Sequence, residues 1–300
     1  MEPSPTRASS PPPRTPPALV VTGMHRSGTS LTAAILASAG VDMGDRLLGA
    51  DAANPRGHFE DVDVLLFHQR ALAANGMSTD GFVAGGAAEV PTLMRPEAHD
   101  LVAARRAKAR PWGWKEPRTV LFLDFWERLL PEARFVLVFR RPWEVVDSLF
   151  RRGNAEFRVE PRLAVGVWRH YNEQIFRFAR RVGGRCLVVE ASQVVNDQAG
   201  FAADVRTRLD MPIGFPSPQS EPGLFHSDHA SWRPWLVRQL DPQAYELYLE
   251  LRTLAGSSSP LPPLAEEAGG METALEAALA EWSRAGNALC RSETQARAAG

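Results

Sequence analysis

The loop Gly23-Met-His-Arg-Ser-Gly-Thr-Ser30 is the stretch of this sequence best suited to holding an anion, since two glycines bracket a turn that carries a cation. The short apolar run at 19–21 predicts a buried strand before it. After Thr29, apolar Leu31, Ile35 and Leu36 recur at helical spacing up to Gly40, a suitable C-terminal cap. A strand, a tight turn and a helix start together present free backbone N–H groups and the positive end of a helix dipole, both of which attract phosphate. The glycines have the spacing of a nucleoside-triphosphate loop, G-x-x-x-x-G-K-[ST]. Thr29 stands where that loop has its lysine, and the cation is Arg26, inside the loop. The loop should hold a phosphate without a lysine to reach a triphosphate tail.

Two further constellations carry charge. Arg140 follows an apolar run at 134–139, and Ser148 lies eight residues on, two turns into the helix that Pro142 can start. A guanidinium and a hydroxyl so spaced can converge on one anion, although Arg140 can also pair with Glu144 or Asp147. The other constellation is Trp114-Lys-Glu-Pro-Arg118, notable because Lys108 and Lys115 are the only lysines in the chain.

In order and spacing these stretches resemble the family of sulfotransferases that use 3′-phosphoadenosine 5′-phosphosulfate (PAPS), closer to its carbohydrate and tyrosylprotein branches than to its cytosolic branch. His25–Ser30 is similar to the family's 5′-phosphosulfate loop, and Arg140 with Ser148 to its 3′-phosphate-binding segment. Lys115-Glu-Pro is similar to a Lys-Asp-Pro segment, with Glu116 in place of Asp. The resemblance implies an α/β fold, a parallel sheet flanked by helices, and sulfonate transfer to an acceptor hydroxyl on a carbohydrate or small metabolite. It assigns Arg26, Ser27, Gly28, Thr29, Ser30, Arg140 and Ser148 to the PAPS donor. Arg26 and Lys115 would stabilise charge on the departing 5′-phosphate oxygen, and Glu60 would be the base. His58 and Asp61 are rivals of Glu60, which can also be a helix cap; His25, His226 and His229 are further candidate bases. No counterpart of the cytosolic branch's C-terminal Arg-Lys-Gly nucleotide loop is present, though Arg233 is placed to be tested as a nucleotide contact. A sulfonate carries less charge than a terminal phosphoryl group, so fixed cations can serve, and no metal is expected.

The elements that position these residues follow from periodicity. Strands are read at 19–21, at 111–115, through 134–139 and at 186–189; helices at 62–72, 96–110, 119–130, 143–152, 163–182 and 201–209. Such alternation predicts a parallel sheet covered on both faces. Ligands of these sheets bind outside the carboxyl ends of the strands, where all three constellations fall. Residues 41–61, 76–90 and 211–223 read as loops; 76–90 and 224–235, the latter with Trp232 and Trp235, are candidate acceptor walls. Residues 120–124 mimic a strand ending in a metal-binding Asp, but the apolar pattern continues through Phe125, Trp126, Leu129 and Leu130 and favours a helix.

Composition bounds the rest. Three hundred residues with 44% hydrophobic content can bury a large core, and a net charge of −1 gives no general pull toward nucleic acid or membrane. No apolar run is long enough to span a bilayer, and two distant cysteines form no disulfide framework, so a cytoplasmic protein is the expectation. The Pro/Ser-rich residues 1–17 read as a disordered tail, 18–254 as the main domain and 255–270 as a linker. Residues 271–300 read as an amphipathic helix whose stripe, Leu275, Leu279, Trp282 and Leu289, docks onto the body or, secondly, joins a homodimer. Two other classes stay open: a P-loop kinase or NTPase, and a non-catalytic nucleotide-binding protein that recruits a partner through this helix.

Overall fold

The computed structural model describes residues 16–49, 57–108, 110–219, 232–261 and 272–298. The chain runs through β1 (Ala18–Thr22), α1 (Thr29–Ser38), α2 (Val62–Ala74), α3 (Arg95–Arg106) and β2 (Trp112–Lys115). A 3₁₀ turn (Pro117–Phe122) leads into α4 (Leu123–Leu129), then β3 (Arg134–Phe139), α5 (Pro142–Arg152), α6 (Ala155–Val159) and α7 (Arg162–Val182). After β4 (Cys186–Glu190) come α8 (Ala191–Asn196), α9 (Gln198–Arg208), α10 (Trp232–Leu240), α11 (Pro242–Ala255) and α12 (Glu272–Ala298).

The four strands form one parallel sheet in the order β2-β1-β3-β4. Side chains alternate between its faces, so Leu19, Val21, Val136, Val138, Leu187 and Val189 pack with α1 and α9. Val20, Phe135, Leu137, Phe139 and Val188 pack on the opposite side, with α7 and α11. Both faces are therefore covered, which is why β3 reads as an unbroken apolar run. Register aligns the strand ends: Val21 lies opposite Lys115 on one side and Val136 on the other. Gly23 is required by this closeness, since a Cβ there would strike the carbonyl of Val138.

Several boundaries differ from those read in the sequence. The helix expected at 119–130 starts as a 3₁₀ turn at Pro117, because the Glu116 side chain accepts from the Thr119 N–H at 3.0 Å and sets the start there. Asp124 lies on α4 at the surface, where it pairs with Arg181, so the resemblance of 120–124 to a metal-binding strand is not realised. Residues 1–15 of the tail, 50–56 of the 41–61 loop, 220–223 of the 211–223 loop, 224–231 of the suggested acceptor wall with His226 and His229, 262–270 of the suggested linker and 271 of the last segment lie outside the described residues. Where the linker was expected to begin, residues 256–261 are held to the body. Ser257 bonds Glu190, Arg252 bonds the Ser259 carbonyl, and Arg141 donates to the Pro260 carbonyl at 3.1 Å.

The last helix docks onto the body. Leu279 and Trp282 are buried, with the Trp282 ring edge-on to Phe150 of α5 at 5.4 Å and its Nε1 donating to Asp147 at 2.8 Å. Those two members of the apolar stripe are occupied within the chain, and a dimer through α12 would have to use another face. Among the described residues no helix is long and apolar enough to cross a membrane.

Under the end of β2 sits a buried carboxylate. Glu116 is fully buried and accepts from Arg118 at 2.6 Å, His68 at 2.7 Å and the Thr119 amide. The Trp126 indole N–H can only donate, and it points at His68 Nε2 from 2.8 Å, so Nδ1 carries the proton that reaches Glu116. Burial works against ionisation of Glu116, but the Arg118 charge and the His68 hydrogen bond outweigh it and hold the carboxyl down to about 2, from an ordinary value of 4.5.

Two predictions follow from this packing. Trp282→Ala should cost about 3–5 kcal/mol in urea unfolding, as buried Trp truncations do; unchanged stability would mean that α12 is not part of the folded body. Because the Glu116 pKa is depressed, its contribution is complete above pH 4.5 and is lost as pH falls toward 2. Glu116→Gln strands Arg118 and should destabilise by about 3–5 kcal/mol near neutrality. Unfolding midpoints measured against pH should show that gap narrowing through the same window.

Candidate active site at the strand ends

The loop after β1 is shaped by its backbone. Arg26 and Gly28 both have positive φ, 67° and 85°. Left-handed residues in such a turn aim successive amide N–H groups toward one point, and a non-glycine residue held there is a strained position of the kind that gathers at functional sites. Helix α1 begins at Thr29 with no side-chain cap among the described residues, so its first amides remain available to an anion. The Ser27 hydroxyl is buried and has no partner among the described residues. A helix start and a buried hydroxyl left unsatisfied are what an incoming phosphate oxygen would complete. Thr29 is buried behind them, and Ser30 donates to the His58 carbonyl at 3.0 Å.

The second constellation closes on the first. Arg26 Nε donates to Ser148 Oγ at 2.7 Å, and Arg140 donates to the Arg26 carbonyl at 3.3 Å. The side chain of Arg140 also pairs with Glu144 at 2.7 Å, the alternative its spacing allowed. Arg140 and Ser148 thus converge through Arg26, on one side of the loop. The surrounding frame fixes them: Trp168 of α7 donates to the Arg140 carbonyl at 3.0 Å, and Asp147, next to Ser148, accepts from Trp282 and pairs with Arg151 and Arg233. Arg233 therefore reaches the frame of this clamp, and Trp232 stands edge-on to Trp282 at 5.6 Å.

The third constellation lies on the other side of β1. The Lys115 side chain is 2% exposed. It is held by the His58 carbonyl and Glu60 Oε1, each at 2.9 Å, and by Ser30 Oγ at 3.3 Å. Glu60 is 6% exposed and has Arg118 4.0 Å from its other oxygen. The resemblance drew Arg26 and Lys115 onto the same oxygen; the structure sets Arg26 against Ser148 and sets Lys115 against Ser30 in the first turn of α1.

The rivals of Glu60 have surroundings of their own. Asp61, not Glu60, caps α2, accepting from the amides of Asp63 and Val64, and it is fully buried against Arg105. His58 faces Lys115 through its backbone carbonyl. His25 is buried beside Phe82 and Tyr171, and burial first, then the Arg118 charge, hold its imidazole well below the ordinary value and therefore neutral. Arg118 closes the Trp114–Arg118 motif, and only its long-range contacts reveal a role. It donates to the Thr79 carbonyl at 2.9 Å, and Tyr171 donates to the Gly81 carbonyl at 2.7 Å, so the 76–90 loop is anchored beside the site. Burial raises the Tyr171 hydroxyl far above its usual range, which leaves it a donor. Among the described residues no group of three or more His, Cys, Asp or Glu is gathered as metal ligands are.

Residues 17–215 match the Sulfotransferase family. Similar solved structures include the sulfotransferase domain from the Synechococcus PCC 7002 olefin synthase, 20% identical over 92% of this chain and 98% of that one, with a TM-score of 0.44. The sulfotransferase domain from the curacin biosynthetic pathway is 16% identical over 89% and 98%, with a TM-score of 0.42. The sulfotransferase STF9 from Mycobacterium avium is 15% identical over 90% and 76%, with a TM-score of 0.46. No curated protein matches the chain. The family match takes in more than half of the chain and all three strand-end constellations, and on that ground this chain belongs to the sulfotransferase family.

Proposed function

We propose that the protein transfers a sulfonate group from PAPS to an acceptor hydroxyl, on a carbohydrate or small metabolite. The observation that carries the donor assignment is the 2.7 Å bond from Arg26 to Ser148, which makes the phosphate loop and the Arg140 clamp one continuous site. Bound PAPS supplies the sulfonate, and 3′,5′-ADP is the leaving group.

The chain's own groups then divide the work. The amides of Gly28, Thr29 and Ser30 at the start of α1, with the Ser27 hydroxyl, hold the 5′-phosphate. Arg140, Ser148 and Arg26 grip the 3′-phosphate side. Lys115, beside Ser30, stabilises negative charge on the 5′-phosphate oxygen as its bond to sulfur breaks, and fixed charges of this kind are usually the largest catalytic term. Glu60 takes the acceptor proton as the acceptor oxygen bonds to sulfur, while the bond from sulfur to the 5′-phosphate oxygen breaks and its electron pair leaves on 3′,5′-ADP. The 2.9 Å pairing of Lys115 with Glu60 supports giving these two residues the adjoining roles of cation and base.

Thermal-shift titration tests the donor half. 3′,5′-ADP should raise the melting temperature in a concentration-dependent way, ATP with magnesium should not, and Arg140→Ala should weaken 3′,5′-ADP binding about tenfold or more. The reverse nucleotide preference would overturn the PAPS assignment. Transfer of label from PAPS to a panel of sugars, phenols and lipid alcohols tests the chemical half. Glu60→Gln should lower turnover by about 10²–10⁴ and Lys115→Met by about 10²–10³, with 3′,5′-ADP affinity retained in Glu60→Gln. Full turnover in Glu60→Gln would remove the base role.

A further inference from the structure

Glu60 is shared between two cations of unequal freedom. Lys115 holds one oxygen at 2.9 Å, but the proposed transfer requires that ammonium to face the donor. Arg118 lies 4.0 Å from the other oxygen and cannot turn away, because NH1 is bonded to the buried Glu116 and Nε to the Thr79 carbonyl. Glu116 is itself fixed by His68 and the Thr119 amide. The stem of Arg118 packs against Gly81, where an added Cβ would come within 2.9 Å of its Cγ. Tyr171 holds the same glycine through its carbonyl.

We infer that Arg118 is the positioning residue of this site: it keeps Glu60 in place when Lys115 turns to the donor, and it fastens residues 79–81 beside that carboxylate. The inference rests on the reading of Glu60 as the base. It gives the 76–90 loop a defined job, since one guanidinium then fixes both the proton acceptor and a wall of the acceptor pocket. Among the described residues no hydrogen bond or ion pair of Arg118 goes to the phosphate loop or the Arg140 clamp, and its charge reaches the loop only at the buried, neutral His25, so its effect should fall on turnover more than on nucleotide affinity.

The test is a mutant cycle on the full chain, read with radiolabelled PAPS against sugars, phenols and, as the acceptor always present, water. Arg118→Gln alone strands the Glu116 charge, so it is combined with Glu116→Gln, which neutralises the pair together. R118Q/E116Q should lower kcat about tenfold or more, leave the 3′,5′-ADP Kd within about twofold, and speed amide exchange over residues 78–83. R118K keeps the charge but cannot bond Glu116 and the Thr79 carbonyl through separate nitrogens, so it should recover turnover only in part and leave exchange over 78–83 raised. In an E60Q background the same double change should cost less than about twofold further, because residues acting through one group are not additive. An equal tenfold loss with or without Glu60, or a loss of 3′,5′-ADP binding, would overturn the inference. Wild-type turnover in E60Q alone would overturn the base reading beneath it, so the two failures are told apart.

Discussion

Burying an ammonium group is the constraint on which this site depends. Lys115 has almost no contact with solvent, and a charge in that position persists only if oxygen atoms surround it. Its three partners come from different parts of the chain: Ser30 from the first turn of α1, the His58 carbonyl from the loop that follows, and Glu60 from the residue before the α2 cap. Satisfying one cation therefore draws the phosphate loop, the acceptor-side loop and the end of β2 together. Below it, Glu116 repeats the arrangement with opposite sign, a carboxylate closed off by Arg118, His68 and a backbone amide. The two knots are adjacent in sequence, so the end of β2 is pinned from both sides.

In the proposed reaction the sheet order would separate grip from chemistry. β1 is central, with β3 and the Arg140 clamp on one side and β2 with Lys115 on the other. The loop after β1 reaches both, its Arg26 side chain toward Ser148 and its Ser30 hydroxyl toward Lys115. A donor lying across three strand ends would be held at one end and activated at the other, which is how ligands sit on open parallel sheets.

Much of this was legible in the sequence because it is local. The glycine loop, the Lys115 segment and the Arg140–Ser148 spacing each sit within one strand-to-helix connection, and an apolar run reports the strand that carries them. What was not legible is pairing across long separations. Nothing in the spacing of Arg26 announces that its side chain meets Ser148, or that Trp126 fixes the His68 tautomer for Glu116. The capping residue was ambiguous for the same reason: Glu60 and Asp61 are equivalent by position, and only burial of Asp61 against Arg105 decides between them. Helix α11 does carry a helical period, with Ala244, Tyr245, Tyr248 and Leu251 on its buried face, a signal present in the sequence and left unused there.

The indole of Trp282 reaches across to Asp147, the residue beside Ser148, and buries itself on α5. This has a consequence for the order of events during synthesis. The phosphate loop, the clamp arginine and the sheet can all be made and assembled while α12 is still within the ribosome, yet the helix that carries Ser148 lacks its outer support until that late segment emerges. The turn of α5 that carries Ser148 thus depends for its outer packing on a segment far along the chain, and a chain cut before α12 would keep its sheet but leave that turn unsupported.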